Sequence, residues 1–159
     1  MANTQSMCTS FLGELLSSTH NFSSANPAHT ASTADTFKAA LYVTTATLNA
    51  STTVYSATNE VSGTGYSAGG VTVTNANNPT STNSSTTAGV GYWTPSASIV
   101  YSTVTLTTAF DTMLLYNSSQ SNKAVAVYTF GSQTITAGNF TLTMPSNTTT
   151  TALVRLSTT

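Results

Sequence analysis

The chain is a succession of short runs in which apolar and polar positions alternate, separated by polar connections. From Thr36 to Thr44, Phe37, Ala39, Leu41 and Val43 fall on one side and Lys38, Ala40 and Tyr42 on the other. This is the period-two pattern of a strand with one face turned inward. Comparable runs cover Ala46 to Tyr55 (with a turn near Asn49-Ala50-Ser51), Val71 to Val73, Tyr92-Trp93, Ser98 to Phe110 and Thr112 to Asn117. They continue through Lys123 to Phe130, Gln133 to Thr136, Phe140 to Met144 and Ala152 to Leu156. Asn117 to Asn122 reads as a turn, and Asn59 to Gly70 as a long glycine-rich loop. Asn75 to Gly89 carries no apolar residue beyond Ala and reads as an exposed loop.

One helix is predicted, over residues 9–17. Ser10 is its candidate cap, and Phe11, Leu12, Leu15 and Leu16 share a face, the spacing of an amphipathic helix. Gly13 weakens it by roughly 1 kcal/mol relative to alanine. The polar stretch from His20 to Ala34, with Pro27 inside it, follows as a linker. The expectation is an all-β protein: an antiparallel β-sandwich of eight or nine short strands with a short N-terminal helix. Residues 1–34 form an arm with the helix and linker, and residues 35–159 the sandwich domain. Two roles are open for the arm, packing on its own domain or docking on a neighbouring subunit.

Composition narrows the function. Only seven of the 159 residues carry a formal charge, 4%, where a globular chain has about 25%. Hydroxyl and amide side chains stand in for them, with 36 Thr, 23 Ser and 13 Asn. A net charge of −1 provides no basic field for nucleic acid and no polybasic membrane anchor. No stretch is long enough to span a bilayer, and the N-terminus lacks the basic start of a signal peptide. The expected site of synthesis is therefore a cytoplasm. Nor is the chain a disordered one, which would demand high net charge.

Candidate chemistry is thin. Glu14, Asp35, Glu60 and Asp111 lie one to a region, without the pairing that acid–base catalysis uses; Asp35 is expected at a strand start, Glu60 and Asp111 in loops. His20 and His29 have no Cys or acid spaced to complete a metal site, and His20 is expected to finish the helix. Cys8, the single cysteine, makes an intrachain disulfide impossible. Gly63, Gly65, Gly69 and Gly70 precede a strand and not a helix, so they form no phosphate cradle. The expectation is no catalytic residue, no cofactor and no metal. What remains is contact surface: Phe11, Leu12, Leu15 and Leu16 on the arm, and Tyr92 with Trp93 on the domain, are the candidate interface. Strand edges are usually guarded by charge or proline, both scarce here, so association into a homo-oligomer is expected.

Several blocks together resemble a family of small virion proteins of tailed bacteriophages. They are Ser10 to Leu16 with His20-Asn21-Phe22, Asp35 to Tyr42, Thr58 to Tyr66 with Ala68-Gly69-Gly70, and Ala124 to Gly131. Gly138 to Leu142 and Leu153 to Leu156 complete the set. The segment Asn59-Glu60-Val61-Ser62-Gly63-Thr64-Gly65-Tyr66 is the most specific of these, residues 75–100 are the least alike, and residues 23–34 look like an insertion. The resemblance implies a non-enzymatic structural protein on the virion exterior, whose partners are the major capsid protein or other virion proteins. It leaves capsid decoration, neck and tail open; decoration (cement) of the outer shell is the preferred placement, and a receptor- or glycan-binding virion module is a further alternative.

Overall fold

The computed structural model describes residues 2–23, 33–82 and 89–158. His29, most of the linker read at 23–34, and residues 83–88 of the loop read at 75–89 lie outside the described residues. The order of elements is β1 (Ser6–Met7), α1 (Thr9–Leu16), β2 (Phe37–Val43), β3 (Val71–Thr72) and β4 (Thr80–Ser81). β5 (Val90–Trp93), β6 (Ile99–Asn117), β7 (Lys123–Leu142) and β8 (Val154–Ser157) follow. All pairings are antiparallel. One sheet has the order β1-β7-β6-β2-β3, the other β4-β5-β8. The protein is all-β, with two sheets and one short helix among the described residues.

The dominant element is a single hairpin whose two strands are longer than the alternation pattern predicts. Ser98 to Phe110 and Thr112 to Asn117, read as two strands, form one strand of 19 residues. The three runs read between Lys123 and Met144 form one strand of 20. The apparent breaks are places where the register slips, between Tyr101 and Val104, Val104 and Leu106, Leu106 and Phe110, and Phe110 and Thr112. A bulge breaks the period of the side chains without breaking the strand, so a period-two reading ends there while the backbone continues. Asp111, expected in a loop, is therefore inside β6, and Ala46 to Tyr55, expected extended, contributes only the isolated bridge Val54 to Lys123. The turn at the hairpin tip falls where it was read, closed by Asn117 opposite Lys123.

The hairpin divides into two halves. Toward the tip, Thr112 to Asn117 and Ala124 to Val127 are buried without alternation. Toward the open end, Tyr101, Val104, Leu106 and Phe110 are buried while Thr103, Thr107 and Thr108 face solvent. β2 lies against the tip half, Phe37 opposite Asn117 and Leu41 opposite Met113.

The N-terminal segment packs on the larger sheet. β1 pairs with β7, the Cys8 N–H donates to Val125 O at 3.0 Å, and the Asn3 amide bridges Asp111 (2.8 Å) and Val43 O (3.2 Å). Cys8, Phe11 and Phe22 belong to the same buried core as Phe37 and Leu114, so of the two roles open for the segment the structure shows packing on its own domain. α1 is capped differently from expectation: the N-cap is Cys8, with no side-chain cap bond, and the helix ends at Leu16.

Candidate functional site

The six candidate interface residues do not form one surface. Phe11 is fully buried and Trp93 is 2% exposed; both are turned into the protein's own core. Phe22 joins them, stacked on Phe37 with centroids 4.3 Å apart and edge-on to Trp93 at 4.8 Å. The Trp93 indole N–H is taken by Asn75 Oδ1 and Asn77 O, each at 3.0 Å. Leu12 and Leu16 point outward, Leu16 being 91% exposed. Leu15 and Tyr92 are half-buried.

What the fold does bring together is a cleft of about 420 Å³ between α1 and the small sheet. Phe11, Leu15, Tyr92 and Trp93 line it, with Phe22 and Leu156 among the other walls. Four of the six residues singled out from sequence thus meet in one concavity, although α1 and β5 are more than seventy positions apart in the chain. The lining is largely aromatic and aliphatic, and Leu156 in it is 39% exposed.

Each of the four carboxylates is engaged inside the fold. Glu14 accepts from Lys123 Nζ at 2.7 Å and pairs with His20 Nε2 at 2.8 Å. Burial alone would raise the Glu14 pKa, but the hydrogen bonds from Lys123 and His20, with the Lys123 charge, outweigh it and hold the carboxyl below its ordinary 4.5. His20 is buried past the helix end, and does not cap it as expected. Its Nδ1 lies 3.0 Å from Asn117 Nδ2, which also donates to Asp35 Oδ2 at 2.7 Å. Because Asn117 Oδ1 accepts from the Ser119 N–H, the amide orientation is set. His20 Nδ1 is then an acceptor, and Nε2–H donates to Glu14. Asp35 also accepts from the Asn21 N–H and the Gln120 amide. This chain of contacts fastens the N-terminal segment to the hairpin tip.

Glu60 organises the glycine-rich loop. Its Oε2 accepts from Tyr55 OH at 2.6 Å, and its Oε1 from Tyr66 OH and the Gly69 N–H, each at 2.7 Å. Tyr66 OH in turn accepts from the Leu41 N–H, and Tyr116 OH donates to Gly69 O at 2.8 Å. Burial, reinforced by the Glu60 charge, raises the phenol pKa of Tyr55 and Tyr66 well above the usual range and that of Tyr116 to about 12. The loop lies against two strands at its glycines. A Cβ at Gly63 would overlap Thr105 O, and one at Gly70, whose φ is +69°, would overlap Ala39 O. The most specific block of the sequence is thus a clamp that completes the edge of β2, where the Val61 N–H donates to Leu41 O and the Val43 N–H to Asn59 O.

Asp111 Oδ1 accepts from Asn3 and from Thr112 Oγ1 at 2.7 Å. Burial, with the Glu14 charge adding to it, pushes the Cys8 thiol up to about 11, so at neutral pH it is a protonated core side chain. No group of three His, Cys, Asp or Glu side chains suited to a metal ion occurs among the described residues, and no helix among them is long and apolar enough to cross a membrane. No protein-family model, curated protein or solved structure matches the chain.

Proposed function

We propose that the protein is a non-enzymatic structural component of a tailed-phage virion, most specifically a decoration protein bound to the outer face of the capsid shell. The observation that carries this reading is the division of labour among side chains. Every carboxylate holds the fold together, while Leu12 and Leu16 stand exposed on α1 and Leu156 lines, partly exposed, an apolar cleft built from α1 and β5. A protein built this way has contact area to offer and few reactive groups. Its contacts with the major capsid protein would be apolar and neutral, so they depend weakly on salt. The block resemblance supports the virion setting.

The test is made on particles of the phage that encodes the chain. Quantitative mass spectrometry is expected to find hundreds of copies per particle, retained through washes at molar salt. A dozen copies or fewer would replace decoration by the tail or neck reading, and release by salt would overturn the neutral interface. Leu16→Asp is expected to leave the folded chain intact and reduce its incorporation. The glycan-binding alternative lacks a free indole at Trp93; binding on a glycan array that Tyr92→Ala abolishes would favour it instead.

A further inference from the structure

The hairpin leaves one long edge of the larger sheet open. β7 pairs with β6 over its length, but on its other side β1 covers only Ala126 and Val127. From Gly131 to Asn139 every residue except Ile135 and Gly138 is exposed. Among the described residues, nothing outside β6 hydrogen-bonds to the main chain between Thr129 and Leu142 except the Gln133 amide, on Gly131 O. Such an edge is ordinarily guarded by lysine, proline or brevity. Here no charged residue occurs between Lys123 and Arg155, and Pro145 lies beyond the strand. Its irregularities are Ala137, with φ +48°, and the register slips that β7 shares with β6 between Thr129 and Gln133, Gln133 and Ile135, and Ile135 and Gly138.

We propose that this edge pairs with the same edge of a second copy, antiparallel about a two-fold axis, joining the two five-stranded sheets into one. Three observations select a second copy as the occupant. First, pairing identical edges sets each residue against residues of the same strand, where like charges would repel; this edge has none, and the whole chain carries a net charge of only −1. Second, the opposite side of the sheet ends in β3, two residues long, and where β2 stops opposite Phe110 the glycine-rich loop lies on β6, bridging Thr105 from Thr64. Head-to-tail growth needs two long edges, so the association closes at two copies and does not run on into a fibre. Third, the run from Tyr128 to Leu142, at about 3.4 Å per residue, is roughly 50 Å long, and a sheet about 10 Å deep gives roughly 500 Å² per partner. Twice that reaches the ~1,000 Å² that a specific interface needs.

The inference concerns the free protein and stands apart from the virion reading; a monomeric decoration protein would defeat the first and leave the second. The experiment is sedimentation equilibrium of the full chain, with hydrogen exchange of the same sample. Wild type is expected at twice the 16.4 kDa chain mass, with the outward amides between Thr129 and Thr141 protected in the dimer. Thr134→Lys and Thr134→Glu are each expected to sediment as monomers with unchanged circular dichroism and melting, and their mixture to recover the dimer mass. Ser132→Lys, at another exposed position, repeats the test should Thr134→Lys disturb the fold. A wild-type monomer across micromolar to sub-millimolar concentration overturns the proposal. So does a dimer that the edge lysines leave intact, or edge amides that become protected only when a different protein is added.

Discussion

Replacing Glu60 with alanine is the most direct probe of the loop that clamps β2. The substitution removes three short hydrogen bonds to a carboxylate, from Tyr55, Tyr66 and the Gly69 N–H. A hydrogen bond to a charged group contributes about 1.5–3 kcal/mol. Glu60 is half-buried, so water recovers part of that loss, and the three bonds act as one unit and do not add fully. A net cost of about 3–5 kcal/mol follows. For a domain of this size each kcal/mol moves Tm by about 2–4 °C, so a fall of roughly 6–20 °C is expected. Urea unfolding followed by Trp93 and tyrosine fluorescence measures the free energy, provided that the transition is two-state. A cycle with Tyr66→Phe isolates one of the bonds; the double variant is expected to cost less than the two single variants together, by about 1–2 kcal/mol. A loss below about 1 kcal/mol with the near-ultraviolet spectrum unchanged would refute the organising role. A hydrolytic activity abolished by Glu60→Ala at unchanged stability would overturn the structural reading of this carboxylate altogether.

Two further outcomes are expected. Gly70→Ala puts a methyl group against Ala39 O at a positive φ, and is expected to cost about 3 kcal/mol or more and to separate the loop from β2; urea titration measures it, and a neutral result would show that the loop backbone shifts freely. Glu14 has its folded-state pKa held below the ordinary 4.5, so its stabilisation is present above the unfolded value and lost as pH falls through the depressed one. Urea midpoints across that range are expected to fall less steeply for Glu14→Gln than for wild type, and parallel curves would remove Glu14 as a source of acid sensitivity.

The chain's all-β character was legible because alternation and a wealth of threonine are local signals. The β2 run, the hairpin turn at Asn117 to Asn122 and the short helix each depend on neighbours a few positions away. The bulges in β6 and β7 were not legible, because a slip in register is set by the partner strand, which the segment itself does not name. The candidate interface shows the same division. That Phe11, Leu15, Tyr92 and Trp93 are apolar anchors follows from their chemistry, whereas their convergence on one cleft, and the burial of Phe11 and Trp93 behind it, depend on where β1 docks on β7. The polar centres lay hidden for the same reason: Glu14 meets Lys123, and Asp35 meets Asn117, across separations of 109 and 82 residues. By itself the sequence determined what this protein is made from: short amphipathic strands, a nearly uncharged surface and few reactive groups. Which of those groups are turned inward, and which edge of the sheet stays open, only the tertiary structure decided, because a side chain's burial depends on the strand that arrives beside it.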